Sequence, residues 1–275
     1  MSGTVPEPAV SESAPAASLE AHLRTLRDAG RKLLVPYVTG GLGDDWLAAV
    51  EAAAAAGADA IEVGIPFSDP MIDGPVIQEA SVRALASGAT PHSILTALAG
   101  ADVGGTPLTV MTYYNLIARA GLRRMASSLA EAGISGAILP DLPVDELDPW
   151  REEAEAAGVE TVLLAAPTTP EDRLRRIVAR SQGFLYAVGV MGVTGERASL
   201  AASALTIARR CKELTDLPVI VGIGISTPDQ AAEVCQVADG VAVGSAVVHR
   251  LLDGDGPDGV AKLVSSFRDA LDTTP

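Results

Sequence analysis

Gly136-Ala137-Ile138-Leu139, Thr161-Val162-Leu163-Leu164-Ala165 and Phe184-Leu185-Tyr186-Ala187-Val188 are short apolar runs in which polar and apolar residues do not alternate. The segments between them, Glu146–Ala157 and Glu171–Arg180, place their apolar residues at helical spacing. A strand without alternation is buried on both faces, and strands joined through helices pair in parallel. Gly158 stands where a helix-ending glycine is wanted, and Pro170 stands at a helix start.

The same unit repeats in both directions. Strands are expected at Leu33–Val38, Ala60–Val63 and Leu108–Met111 upstream, and at Pro218–Val221 and Gly240–Val243 downstream. Helical spacing recurs over Asp44–Ala56, Val76–Ala86, Leu122–Ala132, Leu200–Leu214, Asp229–Val237 and Val260–Leu271, and His22–Ala29 reads as an extra helix before the first strand. Strands and helices alternating this regularly, with no segment set apart, predict a single-domain (β/α)8 TIM barrel with an extra N-terminal helix over residues 19–275. An open doubly wound sheet is the alternative, and the regularity of the repeat favours closure. Residues 1–18, rich in Pro, Ser, Ala and Glu, read as a disordered tail with no signal-peptide pattern. Chemistry is expected at the C-terminal strand ends. The longest interval between strands, Ala60 to Leu108, includes the Pro-, Gly- and Asp-rich segment Pro66–Pro75, a natural substrate loop.

Composition narrows the function. The 275 residues carry 20 Lys and Arg against 35 Asp and Glu, a net charge of −15. That argues against a broad nucleic-acid or anionic-membrane surface. No apolar, charge-free run reaches the ~18 residues of a transmembrane helix, and a cytoplasmic protein is expected. Cys211 and Cys235 form no Cys-x-x-Cys pair, and His22, His92 and His249 are scattered, so no metal centre is predicted. The lysines, Lys32, Lys212 and Lys262, all fall away from the expected strand ends. A Schiff-base mechanism is therefore not expected.

Carboxylates carry the chemistry instead. Glu62 interrupts the apolar strand Ala60-Ile61-Glu62-Val63. A buried carboxylate needs a partner or a task, and two readings weigh equally here: a structural ion pair with an arginine, or an acid–base group whose pKa burial raises. Asp73, before Gly74, is either a turn former or a second carboxylate in the same pocket. Two carboxyls in different environments can divide acid and base work. Glycines after the late strands, in Gly222-Ile223-Gly224 and Val243-Gly244-Ser245-Ala246, with Gly192-Val193-Thr194-Gly195 after the sixth, fit a backbone cradle for a phosphate. Tyr37, Tyr113 and Tyr186 end or follow strands at the same mouth, either as packing residues or as hydroxyls around a flat apolar slot.

The run Glu62-Val63-Gly64-Ile65-Pro66-Phe67-Ser68-Asp69-Pro70 followed by Asp73-Gly74-Pro75-Val76-Ile77-Gln78 resembles the tryptophan synthase alpha chain family. So do Pro36-Tyr37-Val38-Thr39, Met111-Thr112-Tyr113-Tyr114-Asn115, Pro140-Asp141-Leu142-Pro143, Gly192-Val193-Thr194-Gly195 and Gly244-Ser245-Ala246, in order from about Leu33 to Val248. The resemblance implies a carbon–carbon lyase of aromatic amino-acid biosynthesis. It would cleave indole-3-glycerol phosphate by retro-aldol chemistry to indole and D-glyceraldehyde 3-phosphate. It further implies Glu62, Asp73 and Tyr186 as catalytic residues, and Tyr37, Ile77, Met111 and Tyr113 around the indole. Gly195, Gly224, Gly244 and Ser245 would hold the phosphate, and Thr194 would lie in a mobile loop. The expected partner is a beta chain in an alpha2beta2 assembly. Pyridoxal phosphate is expected only in that partner, and no cofactor in this chain.

The sequence departs from the family pattern at Met71-Ile72 before Asp73, at Gly189-Val190-Met191, at Ile223 and in Thr39-Gly40-Gly41-Leu42-Gly43-Asp44. Other readings are a stand-alone lyase that releases free indole and a non-catalytic activator of a beta chain. The intact Glu62, Asp73 and phosphate glycines weigh against the activator.

Overall fold

The computed structural model describes residues 18–189, 197–222 and 224–274, with only the backbone described over 197–202. Eight parallel strands close in chain order: β1 (Leu33–Thr39), β2 (Ile61–Gly64), β3 (Leu108–Met111), β4 (Ile134–Ile138), β5 (Glu160–Ala165), β6 (Leu185–Val188), β7 (Val219–Gly222) and β8 (Gly240–Val243). The closing pair sets Leu33 of β1 opposite Gly240 of β8 and Pro36 opposite Val243. Closure confirms the barrel and removes the open-sheet alternative.

The helices are α1 (Leu19–Asp28), α2 (Trp46–Ala55), α3 (Pro75–Ala86), α4 (Pro91–Leu98), α5 (Tyr114–Ala120), α6 (Leu122–Glu131), α7 (Asp148–Ala157), α8 (Glu171–Arg180), α9 (Arg197–Lys212), α10 (Pro228–Val234), α11 (Ser245–Leu252) and α12 (Gly256–Asp272). Three of them, α4, α5 and α11, go beyond the expectation from hydrophobic spacing. Helix α4 fills the long interval between β2 and β3 and starts in a capping box. There Ser93 N–H donates to Thr90 Oγ1 at 3.1 Å and Thr90 N–H donates to Ser93 Oγ at 3.0 Å. Helix α5 is capped from outside, its Tyr114 N–H donating to Asp141 Oδ1 at 2.8 Å from the loop after β4. Helix α1 begins at Leu19, not His22, because the Ser18 hydroxyl accepts the Ala21 N–H at 3.1 Å. Strand β4 begins at Ile134, with a register shift against β3 between Leu108 and Thr109. The expected tail, Ser18 excepted, lies outside the described residues.

Alternate strand residues face two cores. Outward residues such as Leu34, Val38, Ile61 and Val63 pack against the helices. Inward residues, among them Leu33, Val35, Ile138, Val162, Phe184 and Ile220, fill the barrel together with Leu19 and Leu23 of α1. Leu19 closes the lower end. Its Cδ2 lies 2.7 Å from where a Cβ would stand at either Gly136 or Gly183, so both positions must be glycine for the leucine to enter. Full burial of such a leucine stabilises the fold by about 1.5–3 kcal/mol.

Ion pairs fasten the same lower rim. Buried Asp59, just before β2, accepts Leu34 N–H at 2.8 Å, Arg31 Nε at 2.6 Å and Arg268 Nη1 at 3.0 Å. Asp239, just before β8, pairs with Lys212 at 2.7 Å and accepts Val219 N–H at 2.8 Å. With the lower end sealed and pinned, the opposite mouth is left for chemistry. Among the described residues no helix is long and apolar enough to cross a membrane.

Candidate active site

Glu62 sits in β2 opposite Tyr37 of β1 and Thr109 of β3. Its side chain shares the inward face with Ala60, and it is 1% exposed. No arginine or lysine pairs with it among the described residues, so the structural ion-pair reading fails. The Tyr186 hydroxyl hydrogen-bonds it, while Oε2 is buried without a hydrogen-bond partner. Burial pushes its pKa up from 4.5 to about 8. The Tyr186 hydrogen bond opposes that rise, and the nearby Asp73 charge adds to it. At neutral pH the side chain holds a proton it can give away.

Asp73 precedes α3 and is half-buried at the rim. Desolvation raises its pKa, and a hydrogen bond with the Tyr113 hydroxyl works against that rise. Tyr113 is itself held: its hydroxyl accepts Ile72 N–H at 3.2 Å, and its ring stacks on Phe67 with centroids 4.9 Å apart. The second carboxyl thus stands in the field of the first but in a wetter, hydrogen-bonded place. This is the split environment that separates an acid from a charge-bearing partner.

Tyr37 and Tyr186 are built into the mouth in the same way. Each lies two residues before the strand residue that faces a glycine on the next strand, Gly64 for Tyr37 and Gly222 for Tyr186. A Cβ on Gly64 would stand 1.8 Å from the Tyr37 hydroxyl, and one on Gly222 would stand 2.1 Å from Tyr186 Cε1. These glycines are required for close approach, since each ring tip occupies the missing side chain's place. Desolvation raises both phenol pKa values, so both hydroxyls stay neutral.

The remaining expected residues separate into two groups. Tyr37, Ile77 and Met111 meet in one small apolar cluster with Leu42, Ala80 and Val248. Gly244 caps the N-terminus of α11, and Ser245 is its first residue. Gly224 has φ +89° and is exposed just past β7. Helix N-terminal N–H groups and a glycine turn are the elements of an anion cradle. Gly195 and Thr194 lie outside the described residues, as do Val190, Met191 and Ile223. No lysine reaches the mouth. Lys32 precedes β1, Lys212 is tied to Asp239 at the lower rim, and Lys262 lies in α12.

Residues 23–270 match the family model described as tryptophan synthase alpha chain. The chain belongs to that family. A tryptophan synthase alpha chain of Streptomyces avermitilis is 48% identical over 229 residues, covering 82% of this chain and 83% of the relative. That of Streptomyces coelicolor is 47% identical over 249 residues, covering 88% and 89%. Among solved structures, Mycobacterium tuberculosis tryptophan synthase superposes with TM-score 0.85 at 37% identity, covering 93% of this chain and 98% of that one. Tryptophan synthase subunit alpha of Legionella pneumophila gives TM-score 0.82 at 33% identity, covering 94% and 99%. The family's reaction is the cleavage of indole-3-glycerol phosphate, a lyase step of tryptophan biosynthesis. The comparisons favour neither the stand-alone lyase nor the non-catalytic activator.

Three residues escaped the sequence reading as parts of the site. Thr39 ends β1 fully buried, with no hydrogen-bond partner for Oγ1. Its place in an inward-facing strand series, two residues after Tyr37, was the available signal. Phe67 supports Tyr113, and Asp141 caps the helix that follows Tyr113. Both lie within the family-like runs, but their contacts cross loops, which hydrophobic spacing does not register.

Proposed function

We propose that Glu62 and Asp73 carry out the retro-aldol cleavage in this chain, with Tyr186 orienting Glu62. Protonated Glu62 delivers its proton to indole C3. The ring nitrogen becomes positively charged, and the Asp73 carboxylate, steadied by Tyr113, stabilises that charge. The bond between C3 and the glycerol chain then breaks, and its electron pair returns to the indole. The hydroxyl on the leaving carbon gives its proton to the Glu62 carboxylate and becomes the aldehyde of glyceraldehyde 3-phosphate. Glu62 ends protonated, ready for the next turnover. The observation that carries this reading is a fully buried carboxyl beside the Tyr186 hydroxyl, with no cation paired to it among the described residues and Oε2 without a hydrogen-bond partner.

Tyr37, Ile77, Met111 and Tyr113 wall the indole, and Gly224, Gly244 and Ser245 hold the phosphate. Gly195 and Thr194 are assigned to the cradle and the mobile loop from the sequence motif alone. The partner is a beta chain in an alpha2beta2 assembly, and pyridoxal phosphate belongs to that partner. Met71 and Ile72, exposed apolar residues beside Asp73, suit the contact.

Indole release from indole-3-glycerol phosphate tests the reading, with the chain alone and with a beta chain. Glu62→Gln and Asp73→Asn should each abolish release, and the beta chain should raise the wild-type rate. Fast release unaffected by a beta chain would support the stand-alone lyase. No release under either condition would overturn the assigned reaction.

A further inference from the structure

We propose that the Tyr37 hydroxyl recognises the middle hydroxyl of the substrate's glycerol chain, making Tyr37 a specificity-determining residue as well as a wall of the indole slot. This deepens the function proposed above and rests on it. The Tyr37 side chain spans the mouth from β8 to β2. Its Cβ, Cγ and Cδ1 lie 3.8, 3.9 and 4.0 Å from the Cβ position of Gly244, at the phosphate edge. Its hydroxyl occupies the Cβ position of Gly64, two residues past Glu62. A substrate whose phosphate rests at Gly244 and whose reacting carbon faces Glu62 must lay its three-carbon chain along this ring. The carbon next to the reacting one carries the middle hydroxyl, and the Tyr37 hydroxyl stands at that end of the ring.

The group is also set up to form a new hydrogen bond. Its neighbour is the Thr39 hydroxyl, which is fully buried and has no well-formed hydrogen bond. A buried hydroxyl without a well-formed hydrogen bond, such as that of Thr39 beside Tyr37, costs free energy until a ligand completes the pair. A sugar-like secondary alcohol, both donor and acceptor, is the partner that does so. A phenylalanine would fill the same niche against Gly64 and make the same apolar contacts, so packing does not account for the hydroxyl.

The test uses two substrates and the chain assembled with a beta chain. The first substrate is indole-3-glycerol phosphate, and the second is its analogue lacking the middle hydroxyl. Both release indole on retro-aldol cleavage, so one readout serves both. Wild type should favour the hydroxylated substrate in kcat/KM by roughly tenfold, the worth of one good hydrogen bond. Tyr37→Phe should lose most of that preference, through a lower kcat/KM for indole-3-glycerol phosphate and little change for the analogue. Thr39→Val should erode the preference in the same direction. If Tyr37→Phe slows both substrates equally, or leaves the wild-type preference intact, the inference is overturned while the cleavage reaction stands. If wild type releases indole from neither substrate, the proposed function falls and this inference with it.

Discussion

Replacing Glu62 with glutamine should trade activity for stability, and the trade should depend on pH. In the folded chain the Glu62 carboxyl titrates near 8, against 4.5 for the ordinary group. Between those values the folded state keeps a proton that the unfolded chain has released, so wild-type stability falls as pH rises through this window. Each unit is worth about 1.4 kcal/mol. The loss begins near pH 4.5, reaches about 3 kcal/mol at pH 7, and levels off on the order of 5 kcal/mol above pH 8. Glutamine is nearly isosteric and does not titrate. Urea unfolding of the isolated chain, followed by the fluorescence of Trp46 and Trp150, measures both proteins from pH 5 to pH 9. The stability of Glu62→Gln minus that of wild type should climb by about 1.4 kcal/mol per pH unit up to pH 8 and then flatten. Curves that stay parallel across this range would refute the claim that Glu62 is held neutral, and with it the source of the proton for indole C3.

The same ionisation should appear in catalysis, with kcat/KM falling about tenfold per unit above pH 8 as the acid form disappears. Tyr113→Phe should cut kcat less than Asp73→Asn does, because it removes a hydrogen bond to the carboxyl and leaves the charge. Steady-state rates with a beta chain present rank the two, and the reverse order would mean that Asp73 acts only through Tyr113. Gly64→Ala should lower activity by displacing the Tyr37 ring, and Gly222→Ala by displacing Tyr186 and with it the Glu62 hydrogen bond. Equal activity in either variant would show that the close approach is not required. Arg268→Ala should destabilise the chain by about 1.5–3 kcal/mol, since buried Asp59 would lose one charged hydrogen bond while keeping Arg31 and the Leu34 N–H. Thermal unfolding should move accordingly, with kcat unchanged below the transition.

Local pattern alone determined the alternation of buried strands and helices, and closure of the sheet decided for the barrel over an open sheet. Apolar runs without alternation, helical segments between them and glycines at helix ends are consequences of burial on both strand faces and of backbone sterics, and these act within a few residues. Glu62 announced itself as a charge inside an apolar strand, and the motif around it carried the family. Helix α4 was also legible, in Thr90-Pro91-His92-Ser93, although hydrophobic spacing passed over it. Helix α5 was not, because its cap, Asp141, arrives from the loop after the next strand. Only closure of the sheet decided between the two readings of Glu62, by bringing Tyr186 from four strands further along the chain and, among the described residues, no arginine. Closure likewise set the Tyr37 and Tyr186 ring tips into the spaces left by Gly64 and Gly222, and placed Leu19 between Gly136 and Gly183. A sequence shows which residue types are present, but whether a buried carboxyl is paired or kept neutral depends on what the fold places within hydrogen-bonding distance, and that is a property of the tertiary structure.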